Sequence, residues 1–163
     1  MRIDALLGAS VYASIKRMII RLVLDTNVLT AAICGPRGAS RQVVRDCLTG
    51  RYQLVMSTSV ALEYEEVVRR EEIVQQSGLP RERLDTLLDA LFHVCQWHRV
   101  YYLWRPNLPD EDDNLFLELA VASRVQRLVT HNRRDFLRAE LRFPWLRILS
   151  PDALLQETAS WQL

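Results

Sequence analysis

The chain has a single lysine, Lys16, among 21 basic residues; the other 20 are arginine. Two explanations stand side by side: the base composition of the genome, or the planar guanidinium's suitability for bidentate phosphate contacts. Formal net charge is only +1, so no global basic field announces nucleic acid. Five glycines and six prolines in 163 residues leave little room for long irregular segments. The cysteines Cys34, Cys47 and Cys95 are odd in number and lack the paired spacing of a zinc site. They read as buried apolar thiols in a reducing cytosol, which places the protein in the cytoplasm. His93, His98 and His131 show no metal spacing with them. No run approaches the roughly 20 apolar residues of a membrane span. The short stretch Ala5-Leu6-Leu7-Gly8-Ala9 follows Asp4, and Lys16-Arg17 lie on its wrong side for a signal peptide. Met18 stands immediately before the first strand pattern. The expected organisation is an N-terminal appendage at 1–17, from a start codon placed too early, and one domain at 18–163.

What is present suits a packed core: 49% of residues are hydrophobic and 25% charged, in a chain the size of one domain. Short β-branched runs recur at Ile19–Leu24, Gln53–Ser57, His98–Leu103, Arg127–Thr130 and Leu146–Leu149. Helical spacing predicts helices near 39–49, 59–76, 81–96, 111–125, 133–139 and 151–158. This alternation predicts an α/β fold in three layers, with helices on both faces of a central, mostly parallel five-stranded sheet. Right-handed crossovers follow from parallel pairing.

Asp25-Thr26-Asn27 closes the first apolar run, which puts a carboxylate at a strand's C-terminal edge, where open α/β sheets build their sites. Burying that acid alone is costly, so it needs a proton, a partner or a metal. Glu63 comes three residues after Val60 and four before Val67, on the apolar stripe of the helix after the second strand. A glutamate at the stripe's edge that reaches back to water explains it equally. Asp110-Glu111-Asp112-Asp113 opens another helix, where acids favour the positive end of the dipole. Only Asp113, at three, four and seven residues before Phe116, Leu117 and Ala120, aims inward; the other three are expected to cap or face solvent. Thr130, Asn132 and Asp135 follow the fourth strand, and Asp135 equally caps the next short helix. Several carboxylates gathered at one edge repel one another unless a cation neutralises them. Oxygen ligands without His or Cys select Mg²⁺ or Mn²⁺, which suits phosphodiester hydrolysis.

The segments Leu24-Asp25-Thr26-Asn27-Val28-Leu29, Ser59 to Glu63, Asp112-Asp113-Asn114-Leu115-Phe116 and Val129-Thr130-His131-Asn132-Arg133-Arg134-Asp135-Phe136, in that order, resemble a PIN domain. More narrowly, they resemble the PIN-family toxins of bacterial and archaeal toxin–antitoxin pairs. The resemblance runs from about Met18 to about Leu155. Asp-Thr-Asn alone is a weak motif, whereas all four segments together are specific. The resemblance implies a PIN-like fold and a Mg²⁺- or Mn²⁺-dependent endoribonuclease. It implies an RNA substrate, an antitoxin partner and a homodimer. Asp25 and Asp113 would be the principal metal ligands. Glu63 would complete the cluster directly or through water. Asp135 would be a fourth catalytic acid or a brace for its loop. Asn27, Thr130 and Asn132 would support the ligands. Asn132 stands where the family often has Asp, which weakens the expectation of a second metal. On the RNA side, Arg133 and Arg134 follow the Asn132 loop, while Arg37 and Arg41 lie near the first strand's exit; a solvated face is the default for the latter pair. Tyr102 and Trp104 could stack a base, though core packing explains both. Two other readings remain: a housekeeping RNA-processing nuclease, and a non-catalytic PIN-like scaffold that binds RNA or protein.

Overall fold

A computed structural model describes residues 19–101, 108, 111–139 and 142–159. The proposed appendage, Asp110, Tyr102, Trp104 and the C-terminal Trp161 and Leu163 lie outside the described residues. Five strands form one sheet: β1 (Ile20–Leu24), β2 (Tyr52–Met56), β3 (Gln96–Trp97), β4 (Arg127–Val129) and β5 (Arg147–Leu149). Their order is β3-β2-β1-β4-β5 and every pairing is parallel. Leu22 registers with Leu54 on one side, and Val23 with Leu128 on the other. Eight helices cover the sheet among the described residues: α1 (Thr26–Cys34), α2 (Ala39–Leu48), α3 (Thr58–Val68), α4 (Glu71–Ser77), α5 (Arg81–Val94), α6 (Asn114–Ser123), α7 (Arg133–Leu137) and α8 (Pro151–Ala159). No helix among them is long and apolar enough to cross a membrane.

The α/β expectation holds, and the sheet is wholly parallel. β1 and β2 are buried at nearly every position, the pattern of strands covered on both faces. Leu22, Val23, Val28, Leu29, Val43, Val55, Leu119 and Leu128 are fully buried and join the layers into one core.

Three elements differ from the sequence reading. Helix α1 was not expected: it starts directly at the strand's end, where Asp25-Thr26-Asn27 reads as a site motif while Asp25 also serves as the N-cap. The helix expected over 59–76 is two, broken at Arg69-Arg70, where Arg70 takes an extended backbone (φ −59°, ψ 137°). The break turns Ile73 and Val74 onto the core. Of the expected His98–Leu103 strand, 98–101 are irregular and 102–103 lie outside the described residues; among the described residues the third strand is Gln96–Trp97. Its partner β2 ends at Met56, where the chain enters α3, so only Val55 and Met56 offer pairing positions. The backbone N–H of His98 makes the last contact, to Met56 O at 2.8 Å.

The strand order fixes where a site can form. From β1 the chain builds outward through β2 and β3, then crosses back to lay β4 on β1's other side. The switch point therefore lies between the C-terminal ends of β1 and β4, which is where open parallel sheets leave a crevice. Asp25 and Thr130 are the residues immediately beyond those two ends.

Candidate active site

Asp25 is 3% exposed and held from several directions. Its backbone N–H donates to Val129 O at 2.9 Å, locking the end of β1 to β4. Its Oδ2 accepts from Thr130 Oγ1 at 2.6 Å and from Asn27 Nδ2 at 2.9 Å. Its Oδ1 accepts only a long contact, 3.4 Å, from Asn27 N–H. Burial pushes the Asp25 carboxyl above its ordinary value; the Thr130 hydrogen bond, the Asn27 and Thr26 N–H groups and His131 offset this in part. One oxygen is thus anchored and the other is lightly used, in a residue for which charge is costly.

Thr130, completely buried, ties the two loops together. Besides donating to Asp25, its hydroxyl accepts from Asn132 N–H at 2.9 Å and from Asn27 Nδ2 at 3.3 Å. Asn27 closes the circuit by accepting from His131 N–H at 3.1 Å. The His131 ring reaches Ser40 on α2, with Nε2 and Oγ 2.7 Å apart. The cross-strand partners of Asp25 are therefore supplied by one short loop, Thr130 to Asn132.

Helix α3 brings Glu63. Ser57 caps it by accepting from Val60 N–H, and Tyr64, fully buried, donates its hydroxyl to Leu24 O at 2.7 Å. That bond fixes α3 against the last residue of β1. Glu63 is half-buried; burial raises its carboxyl first, and the charges of Glu66, Asp112 and Asp25 raise it further, with Arg70 opposing. The field at Glu63 is that of an acidic cluster.

Asp113, half-buried, is the N-cap of α6, while Glu111 and Asp112 are exposed. Asn114 beside it is buried and accepts from Leu108 N–H at 3.2 Å, holding the preceding loop to α6. The inward aim of Asp113 agrees with its helical spacing.

These groups line one open cleft of about 430 Å³ at the switch point. Its carboxylates are Asp25, Glu63, Glu72, Asp112 and Asp113; Asn27, Thr30 and Asn132 add neutral polar groups, and Arg70 is the one cationic residue on its wall among the described residues. Thr26 Oγ1, also on the wall, is buried without a hydrogen-bond partner among the described residues. Asp135 lies off the wall and accepts from the Asn132 side-chain amide. Arg133 and Arg134 are exposed on α7 and do not line the cleft. Arg37 is exposed in the α1–α2 loop, and Arg41 donates to Gly35 O at 2.9 Å beside a separate apolar cavity.

Asp112, Glu72 and Arg70 were missed as wall residues. Asp112 is solvent-facing as expected, yet its solvent is the cleft. Glu72 reaches the wall because the chain breaks between α3 and α4, and no residue there signals a break; Arg70 continues the face of Glu63 and Val67, three residues after Val67, and that spacing could have found it. Among the described residues no three of His, Cys, Asp and Glu stand close enough to hold a metal ion as placed. The donor set nevertheless suits a hard divalent cation: five oxygen acids, no sulfur or imidazole among the described wall residues, an orphaned hydroxyl and two carboxyls raised chiefly by burial, Glu63 also by its acidic neighbours.

Comparison with known proteins gives the same frame. No curated protein matches significantly. Among solved structures, a chain of the crystal structure of VapBC2 from Rickettsia felis, bound to a DNA fragment from their promoter, superposes with a TM-score of 0.56 at 17% identity. The match covers 80% of this chain and 98% of that one, a likeness of fold. A family model described as PIN domain matches residues 21–134, well over half of the sequence and every acid on the cleft wall. The chain belongs to the PIN domain family.

Proposed function

We propose that this protein is a Mg²⁺- or Mn²⁺-dependent endoribonuclease, the toxin of a toxin–antitoxin pair. The observation that carries the reading is the concentration of five carboxylates on one cleft at the sheet's switch point, opposed on the wall, among the described residues, by a single arginine. PIN domains are generally nucleases, which makes phosphodiester hydrolysis the matching chemistry. The toxin assignment rests on the motif resemblance and on the fold shared with the VapBC2 chain.

In this reading Asp25, Asp113 and Glu63 hold the metal. When bound, the cation neutralises these acids, acidifies a water for attack and stabilises charge on the phosphate oxygens. Asn27 and Thr130 fix Asp25 Oδ2 and leave Oδ1 facing a long contact only. Asn132 offers a carbonyl oxygen without a charge, and Asp135 orients that amide. Arg133 and Arg134 contact the RNA backbone from α7. Glu63 and Asp113, half-buried on the same wall as Asp25, would share a bound cation with it, and the cation would offset their mutual repulsion. The antitoxin and a second copy of the chain are the proposed protein partners, and the cytoplasm is the proposed compartment.

The test is incubation of total RNA, and of single-stranded DNA of matched sequence, with the protein in Mg²⁺, in Mn²⁺ and in EDTA, followed by mapping of the ends. Wild type is expected to cut RNA only with metal, and Asp25→Asn not at all. Cleavage by Asp25→Asn at the wild-type rate would falsify the assignment of Asp25. One observation favours a second reading, a non-catalytic scaffold: the amide of Asn132 where a further acid would strengthen a metal site. Calorimetric titration decides between them, since a scaffold binds no Mn²⁺ at millimolar concentration.

A further inference from the structure

We propose that Arg70 binds a phosphate of the substrate strand next to the scissile linkage; this rests on the nuclease reading above. A phosphodiester entering a cleft walled by five carboxylates meets repulsion from each of them, and Asn27, Thr30 and Asn132 bring no positive charge against it. A metal offsets part of that charge, yet it interacts with the reacting phosphate and leaves its neighbours unaccompanied. Among the described residues Arg70 is the cationic residue on the wall, seven residues after Glu63 and three after Val67, which share that face. Helix α3 ends at Val68, and α4 starts at Glu71; Arg70 is the extended residue between them.

The arginines around the break are committed differently. Arg69 pairs with Glu65 and Asp85, and Arg81 pairs with Glu71 while donating to Arg69 O at 3.0 Å. Together they fasten the break to α5. Arg70 has one exposed side-chain partner, Glu66, at 3.3 Å and one turn back on α3. An exposed pair of this kind is weak and exchangeable. Two phosphate oxygens offer the guanidinium a bidentate contact, which is the stronger one. Arg70 thus rests on Glu66 in the free protein and turns to the strand when RNA enters. Binding also moves a positive charge away from Glu66, and the RNA phosphate takes its place as the counter-charge. The four arginines singled out from the sequence stand off this wall, so they reach more distant phosphates.

The experiment compares wild type with Arg70→Gln, Arg70→Lys, Glu66→Gln and the surface control Arg83→Gln on a short unstructured RNA in Mn²⁺. KM and kcat are measured across a salt series. Affinity for the same RNA is measured by fluorescence anisotropy on the cleavage-dead Asp25→Asn background. Arg70→Gln is expected to raise KM and the dissociation constant roughly tenfold, and to flatten the salt slope by about 0.7, the single-strand value for one phosphate contact. Arg70→Lys is expected to fall between, because it keeps the charge and loses the fork. Glu66→Gln is expected to leave binding unchanged or tighter, since it frees Arg70. Arg70→Gln indistinguishable from Arg83→Gln overturns the proposal. So does Glu66→Gln weakening binding as much as Arg70→Gln, which would make the pair structural. If wild type neither cuts nor binds RNA, both the nuclease reading and this proposal fall; if wild type cuts and only the Arg70 effect is missing, this proposal falls alone.

Discussion

Replacing Asp25 by Asn separates the charge of the site from its architecture. Asp25 Oδ2 takes both strong hydrogen bonds, from Thr130 and Asn27, and Oδ1 takes one 3.4 Å contact. An asparagine can keep its carbonyl oxygen in the Oδ2 place and put its NH₂ where Oδ1 was, so only the long contact is lost. What disappears is a negative charge that the fold disfavours. Burial raises the Asp25 carboxyl above its ordinary 3.8 in the folded protein. A raised acid binds its proton more tightly folded than unfolded. Its contribution to stability is therefore present below 3.8 and is lost as pH rises through the folded value. Asparagine has no such loss.

In EDTA at neutral pH, Asp25→Asn is then expected to melt no lower than wild type, and higher if relief of burial exceeds the lost contact. The difference should vanish as pH falls below 3.8. Saturating Mn²⁺ reverses the order. At a hundred times its dissociation constant, a bound metal adds about 2.7 kcal/mol, roughly 5–10 °C for a domain of this size, and the variant should gain little of it. Differential scanning calorimetry at several pH values, with EDTA or with Mn²⁺, measures both effects. An Asp25→Asn protein that melts well below wild type in EDTA at pH 7 would refute the view that the carboxylate is a cost to the metal-free fold. An undiminished Mn²⁺ shift would remove Asp25 from the ligand set.

Thr130→Val deletes a fully buried hydroxyl that serves Asp25 and Asn132 N–H, at an expected cost of about 2–4 kcal/mol by urea denaturation; a loss below about 0.5 kcal/mol would show the network to be idle. Tyr64→Phe orphans Leu24 O beneath α3 and should cost about 1–3 kcal/mol in the same measurement, with kcat lowered as Glu63 loses its fixed base. Asn132→Asp adds a charge to the cleft wall beside Asp135, so the metal-free protein should lose stability as pH rises above about 3.9, the ordinary value of an aspartate, while Mn²⁺ binding tightens in calorimetry; unchanged values for both would place Asn132 outside the metal's field.

The sheet was legible because its strands are buried on both faces and therefore write themselves as apolar runs between helical spacings. The acids were legible in turn because strand ends and helix starts locate them: Asp25 beyond β1, Glu63 on the Val60–Val67 stripe, Asp113 in register with Phe116 and Leu117. What stayed hidden depends on contacts between elements. Helix α1 is masked because Asp25 is both strand end and cap. The break before Arg70 contains neither glycine nor proline; Ile73 and Val74 need the core, and the Arg69 and Arg81 ion pairs hold the turn that delivers them. Strand β3 is short because β2 stops at Met56, a limit set by its partner rather than by its own residues. The wall position of Glu72 inherits the same blindness.

Asn132 shows how the site limits its own charge. A carboxylate can only accept, so the Asn132 amide must turn its NH₂ to Asp135 and its carbonyl away from it. Asp135 is off the cleft wall and Asn132 is on it. The negative charge of this corner thus stands one residue further out, and an uncharged acceptor stands inside. Two wall acids, Asp25 and Glu63, already have raised carboxyls, Glu63 partly through its acidic neighbours. A sixth carboxylate on the wall would raise them further and make the empty cleft harder to fold. The amide avoids that cost and keeps an oxygen for a cation's shell. It also gives up the charge that a second divalent ion would need. In the proposed metal site this balance would suit one firmly held cation better than two, with Asp135 aiming the Asn132 amide.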